Sequence, residues 1–74
     1  MEIVTIRGEY IELGKLLKFV GLADTGGEAR SILEAGEVSV NGKVERRRGA
    51  KIRDNDVVCV EKPPKLMKIK TNTS

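Results

Sequence analysis

The stretch that decides the fold runs from Thr25 to Lys51 and reads TGGEARSILEAGEVSVNGKVERRRGAK. Thr25 followed three residues later by Glu28 has the form of a capping box, in which each side chain takes up a free backbone N–H at the other end. Ala29, Ile32 and Leu33 then form an apolar stripe at helical spacing, and Gly36 supplies the stop. Val38-Ser39-Val40 alternates as a half-buried strand does, and Asn41-Gly42 suits the two positive φ angles of a type I′ hairpin turn. Lys43-Val44 begins the return strand, and Arg46-Arg47-Arg48 follows before Gly49 breaks the run. Strand neighbours alternate, so Arg46 and Arg48 are expected on one face and Arg47 on the other, unless the chain leaves strand geometry at Gly49. A helix leading into an arginine-loaded hairpin presents guanidinium forks to a polyanion, and RNA is the obvious one.

Working outward, Glu2 to Ile6 is β-branched and alternating, which predicts a short strand on a sheet edge. Arg7-Gly8-Glu9 breaks that pattern. Leu13, Leu16, Leu17 and Val20 follow the i, i+3, i+4, i+7 rule, giving a helix over Glu12 to Val20 that Gly21 ends. Downstream, Lys51-Ile52-Arg53 leads to a turn at Asp54-Asn55-Asp56. Val57 to Val60 forms a last core strand, with Cys59 read as core. The order β-α-α-β-β-β describes an α+β domain in which a helix-turn-helix-like pair packs on a small, mostly antiparallel sheet. That domain is expected over residues 1–62. Residues 63–74 open with Pro63-Pro64 and continue with apolar residues alternating with lysine from Leu66 to Lys70. They read equally as a basic tail or one more edge strand, with Thr71 to Ser74 disordered.

The bulk numbers narrow the function. Seventy-four residues make one domain with a small core and leave little chain for a separate catalytic apparatus. The net charge is only +3, but six basic residues stand against Glu45 alone between Asn41 and Arg53, so the positive charge is local. There is no histidine and a single cysteine, which excludes a Cys/His zinc site and an internal disulfide within one chain. Asp54 and Asp56 flank a turn, and such pairs are ordinary turn chemistry rather than metal ligands. No apolar run approaches the ~20 residues of a membrane span, and the start lacks a signal-peptide pattern. A cytoplasmic protein without cofactor or metal is expected.

With these residues in this order, the chain resembles the S-four RNA-binding domain, named after ribosomal small-subunit protein four. The resemblance spans about Ile11 to Val60. It rests on Leu13-Gly14-Lys15-Leu16-Leu17 in the first helix and on Thr25, Ala29 and Arg30 in the second. Gly36-Glu37-Val38-Ser39-Val40-Asn41-Gly42 then matches a Gly-x-Val-x-Val-Asn-Gly segment. Gly26-Gly27 and Arg47-Arg48-Gly49-Ala50-Lys51 look like the small stand-alone bacterial branch, the short proteins similar to YaaA and YbcJ. One departure falls at Asn55-Asp56, where the family usually has Gly-Asp. Asn tolerates the left-handed conformation next best, so the turn is expected to survive.

The resemblance implies an RNA-facing surface made by the helix pair and the hairpin together. It nominates Lys15, Lys18, Thr25, Arg30, Asn41, Lys43, Arg47, Arg48 and Lys51; the arginine run adds Arg46, and Gly26 and Gly27 would let a phosphate backbone approach the start of the second helix. Arg30 also has a plainer use, an i,i+4 ion pair with Glu34. Tyr10 and Phe19 are the only aromatics, too few for a base-stacking platform, which favours structured RNA read by shape and backbone. The leading expectation is a monomeric, non-catalytic binder of ribosomal or transfer RNA, acting in translation or ribosome biogenesis. The alternative is a ribosome-associated or protein-interaction adaptor whose basic face meets an acidic partner. An enzyme has no support in the residues, since no nucleophile–base pair can be assigned.

Overall fold

In a computed structural model, which describes residues 1–62 and 65–73, both helices form where the sequence places them. The first, α1, spans Leu13–Phe19, and the second, α2, spans Gly26–Glu34. The capping box forms with one change: Thr25 Oγ1 accepts the Glu28 N–H (3.1 Å), but the Glu28 carboxylate accepts from Asp24 rather than from Thr25 (2.6 Å). Both helices stop by the same device. At Gly21 (φ +82°) the N–H groups of Gly21 and Leu22 turn back to the carbonyls of Lys18 and Leu17. At Gly36 (φ +74°), those of Gly36 and Glu37 turn back to Leu33 and Ile32. This is the Schellman pairing, and it requires the left-handed backbone that glycine adopts freely.

Five strands make the main sheet: β1 (Glu2–Ile6), β3 (Val38–Val40), β4 (Lys43–Val44), β6 (Val57–Lys62) and β7 (Lys65–Thr73). Their order is β1-β7-β6-β3-β4, antiparallel throughout except for the β1–β7 pair. The β1 strand lies at a sheet edge, as its sequence suggested. A separate two-stranded ribbon pairs β2 (Tyr10–Glu12) with β5 (Lys51–Arg53). The architecture is α+β, two helices on a mostly antiparallel sheet.

The apolar stripes meet on one side of the sheet. Leu13, Leu16, Leu17, Ala29, Ile32 and Leu33 pack with Val38, Val58, Val60 and Ile69, all at most 2% exposed. Each buried Val, Leu or Ile of this set contributes roughly 1.5–3 kcal/mol. The other face of the sheet has no helix over it among the described residues. Because strand side chains alternate, that face takes Ser39, Cys59 and Lys68, which the register sets side by side. Cys59 is therefore half-buried on the open face, not in the core as expected.

The C-terminal segment differs most from its reading. The β7 strand is neither tail nor edge; it lies between β1 and β6 and joins the two ends of the chain. Thr71, placed by sequence in a disordered end, is fully buried. Its hydroxyl donates to the Arg53 carbonyl (2.6 Å), and its backbone pairs with Asn55 and Asp56. The interruption at Pro63-Pro64 and the disorder expected of Ser74 lie outside the described residues.

Candidate nucleic-acid interface

The arginine loop is fixed to the start of α1 by the backbone. The N–H groups of Leu13 and Gly14, which a helix cannot satisfy internally, donate to the carbonyls of Ala50 (2.8 Å) and Arg48 (2.9 Å). Gly14 makes that approach possible: a Cβ there would sit 3.3 Å from the Arg48 Cβ. Past Gly14 the Arg48 side chain reaches the start of α2, where a Cβ on Gly26 would lie 3.7 Å from its Nη1. The result is a cleft of about 370 Å³ lined by Glu12, Gly14, Lys15, Lys18, Gly26, Ala29, Arg48 and Gly49. Three cations and one carboxylate face it. Glu12 pairs with Lys15 (3.2 Å), an exposed bridge of little energetic weight.

The three arginines do not behave as a strand. Beyond Glu45 the chain leaves the sheet, and each guanidinium takes its own direction. Arg46 lies over the end of α2, so near Gly36 that a Cβ there would meet its Nη2 at 2.9 Å. Arg47 folds back on Glu45, with Nη2–Oε1 at 3.0 Å and Nε–Oε2 at 3.2 Å. Glu45 Oε2 also accepts the N–H groups of Arg46 and Arg47. These bonds, the Arg47 side chain first, hold the Glu45 carboxyl below the usual carboxylate range. Only Arg48 enters the cleft. The expected shared face for Arg46 and Arg48 is thus replaced by opposite ends of α2.

Of the nominated residues, Lys15, Lys18, Gly26 and Arg48 come together in the cleft. Thr25 caps α2, and Gly27 adjoins that cap without lining the cleft. Arg30 pairs with Glu34 at 2.8 Å, in the i,i+4 arrangement its spacing allows. Asn41 takes φ +51° in the hairpin turn and spends its side chain on Asp56 (3.0 Å) and on the Val57 N–H (2.9 Å). Lys43 is exposed on β4. Lys51 stands 5.1 Å from the Tyr10 ring centroid and is not among the residues that line the cleft. Asp54 and Asp56 serve the turn: Asp56 accepts the Arg53 N–H (2.7 Å) and Asp54 that of Thr73 (2.8 Å), with Asn55 at φ +67°.

Several lining residues escaped the sequence reading. Glu12, Gly14, Ala29 and Gly49 line the cleft without having been nominated, and the signal at Gly14 was a glycine inside a helix, which costs about 1 kcal/mol against alanine and so asks for a reason. Tyr10 and Phe19 line one second cleft although nine positions separate them. No helix among the described residues is long and apolar enough to cross a membrane.

Comparison with known proteins agrees with this architecture. A family model described as the S4 domain, the S-four domain of the resemblance above, matches residues 4–69 and so reaches into β7. A relative from Bacillus subtilis (strain 168), described as probable ribosome maturation protein RlbA, is 40% identical over 58 residues. The match covers 78% of this chain and 82% of the relative.

Proposed function

The chain belongs to the S4 domain family, and from that premise we propose that it is a non-catalytic RNA-binding protein that serves ribosome maturation by binding structured ribosomal RNA. The observation that carries this reading is the convergence of Arg48, Lys15 and Lys18 on one cleft at the glycine-lined start of α2. The first N–H groups of a helix lack internal acceptors and favour an anion. The Thr25 hydroxyl takes that of Glu28, and the N–H of Gly26, at the cleft wall, is the one offered to a phosphate there. Arg48 supplies a planar fork to the same phosphate, and the two lysines act as point charges on its neighbours. Lys43, Arg46, Arg47 and Lys51 extend the positive field along the RNA backbone rather than forming the cleft. Because these contacts read phosphates and shape, the ligand is folded RNA and not an extended strand. The relative's description as a probable ribosome maturation protein supports the ribosomal assignment.

The test is a gel-shift titration of the intact protein against fragments of ribosomal RNA, compared with unstructured RNA of equal length, at several salt concentrations. If about five or six phosphates are neutralised, affinity for the folded fragments falls steeply with salt. The Arg46/Arg47/Arg48→Ala variant loses most of it. Affinity that ignores salt, or a triple variant that binds as well as the native protein, would sink the proposal and favour an acidic protein partner.

A further inference from the structure

The second cleft, about 300 Å³, is lined by Thr5, Ile6, Arg7, Tyr10, Ile11 and Phe19. It gathers both aromatic rings of the chain, and both are exposed: Phe19 by 68% and Tyr10 by 41%. Neither ring is used by the core. Phe19 ends α1, and Tyr10 opens the β2–β5 ribbon, where Arg53 is its direct cross-strand partner. Lys51 Nζ and Arg53 Cζ lie 5.1 and 5.6 Å from the Tyr10 ring centroid, within cation–π range. Arg7 lines the cleft and makes no ion pair among the described residues.

We propose that this cleft holds one unstacked nucleobase, its ring against Phe19 and Tyr10 and its phosphate against Arg7. The inference rests on the RNA-binding reading and adds a second contact to it. Three observations favour a base over an apolar peptide side chain. Two exposed rings line one cleft, and a base can stack on either, since every base has a π-face. The surround is cationic, with Arg7 in the cleft and Lys51 and Arg53 over Tyr10, which matches a nucleotide and not a neutral side chain. The two clefts also neighbour one another along the ribbon: Tyr10 lines one and Glu12, two residues on in the same short strand, lines the other. An RNA whose folded part sits against Arg48 can therefore lay a flanking single-stranded residue on the rings. The size is at the low end of ligand pockets, enough for one base and not for a stack.

The test uses two RNA hairpins of identical stem, one blunt and one with a short 3′ single-stranded tail carrying 2-aminopurine. Native protein should bind the tailed hairpin about tenfold more tightly, the scale of one base–aromatic stack, with quenching of 2-aminopurine fluorescence. Phe19→Leu keeps an apolar side chain at an exposed position but removes the ring, and in it the difference between hairpins disappears together with the quenching. Tyr10→Leu should reduce both in part. Arg48→Ala should weaken both hairpins while the ratio between them survives. A native protein that binds the blunt hairpin but gains nothing from the tail overturns the base site alone. A Phe19→Leu variant that retains the tail advantage does the same, and leaves the rings to a protein partner. Failure to bind either hairpin would instead remove the RNA-binding reading on which this inference stands.

Discussion

Arg48, Arg46 and Arg30 carry the same charge, yet their surroundings predict different costs on removal. Arg48→Ala takes the only guanidinium out of the cleft between the helices. A charge-assisted hydrogen bond of this kind contributes about 1.5–3 kcal/mol, so affinity for folded ribosomal RNA should drop roughly 10- to 100-fold. The slope of log affinity against log salt should fall by about one. Arg30→Ala removes a guanidinium already held by Glu34 at 2.8 Å, with both side chains mostly exposed. An exposed pair of that type is worth about 0.2–1 kcal/mol, and the loss of RNA affinity should stay within about fivefold. Arg46→Ala, at the far end of α2 against Gly36, should behave like Arg30→Ala. Filter binding at three salt concentrations, with thermal denaturation to verify folding, separates the cases. Equal losses for all three would refute the reasoning, because that pattern belongs to a general positive field and not to a built cleft.

Three further perturbations probe the supports of that cleft. Gly14→Ala gains up to about 1 kcal/mol of helix propensity but places a Cβ 3.3 Å from that of Arg48, on a loop pinned by two backbone bonds. The melting temperature should stay near native while RNA affinity falls, and a stabilised variant with full affinity would contradict the packing described. Thr71→Val leaves the Arg53 carbonyl without its 2.6 Å donor in a fully buried position. Urea unfolding should show a loss of about 1 kcal/mol, with Thr71→Ser retaining more of the stability than Thr71→Val. Glu45, its carboxyl depressed by Arg47, holds the loop above the ordinary carboxylate range of about 4 and loses that hold only as pH falls through the lowered value. The Arg47 Nε–H signal in an NMR pH titration should thus persist below the ordinary glutamate pKa of about 4, and its loss at or above that pH would contradict the pairing.

What the sequence made legible follows from how local each cause is. The two helices, their glycine stops and the Asn41-Gly42 hairpin depend on residues within a few positions of each other, and all were readable. The ribbon was not: Tyr10–Glu12 is three residues long, behind Arg7-Gly8-Glu9, and its partner Lys51–Arg53 lies some 40 positions away. The place of β7 was hidden for the same reason, since a parallel pairing of Val4 with Thr71 joins opposite ends of the chain. Thr71 could not be read as buried because its hydroxyl is satisfied by carbonyls that only the folded turn at Asp54–Asp56 brings near. At the site, the charges were visible but their directions were not. Three consecutive arginines diverge because Glu45 captures Arg47 while the N-terminal N–H groups of α1 bind the backbone at Arg48 and Ala50.

The most direct test of where RNA sits is ultraviolet crosslinking of the native protein to ribosomal RNA, with the modified peptides identified by mass spectrometry. Crosslinks on the peptides that carry Lys15 to Phe19, Gly26 and Arg48 are the predicted result. Crosslinks concentrated on the open sheet face, at Cys59 and Lys68, would contradict it.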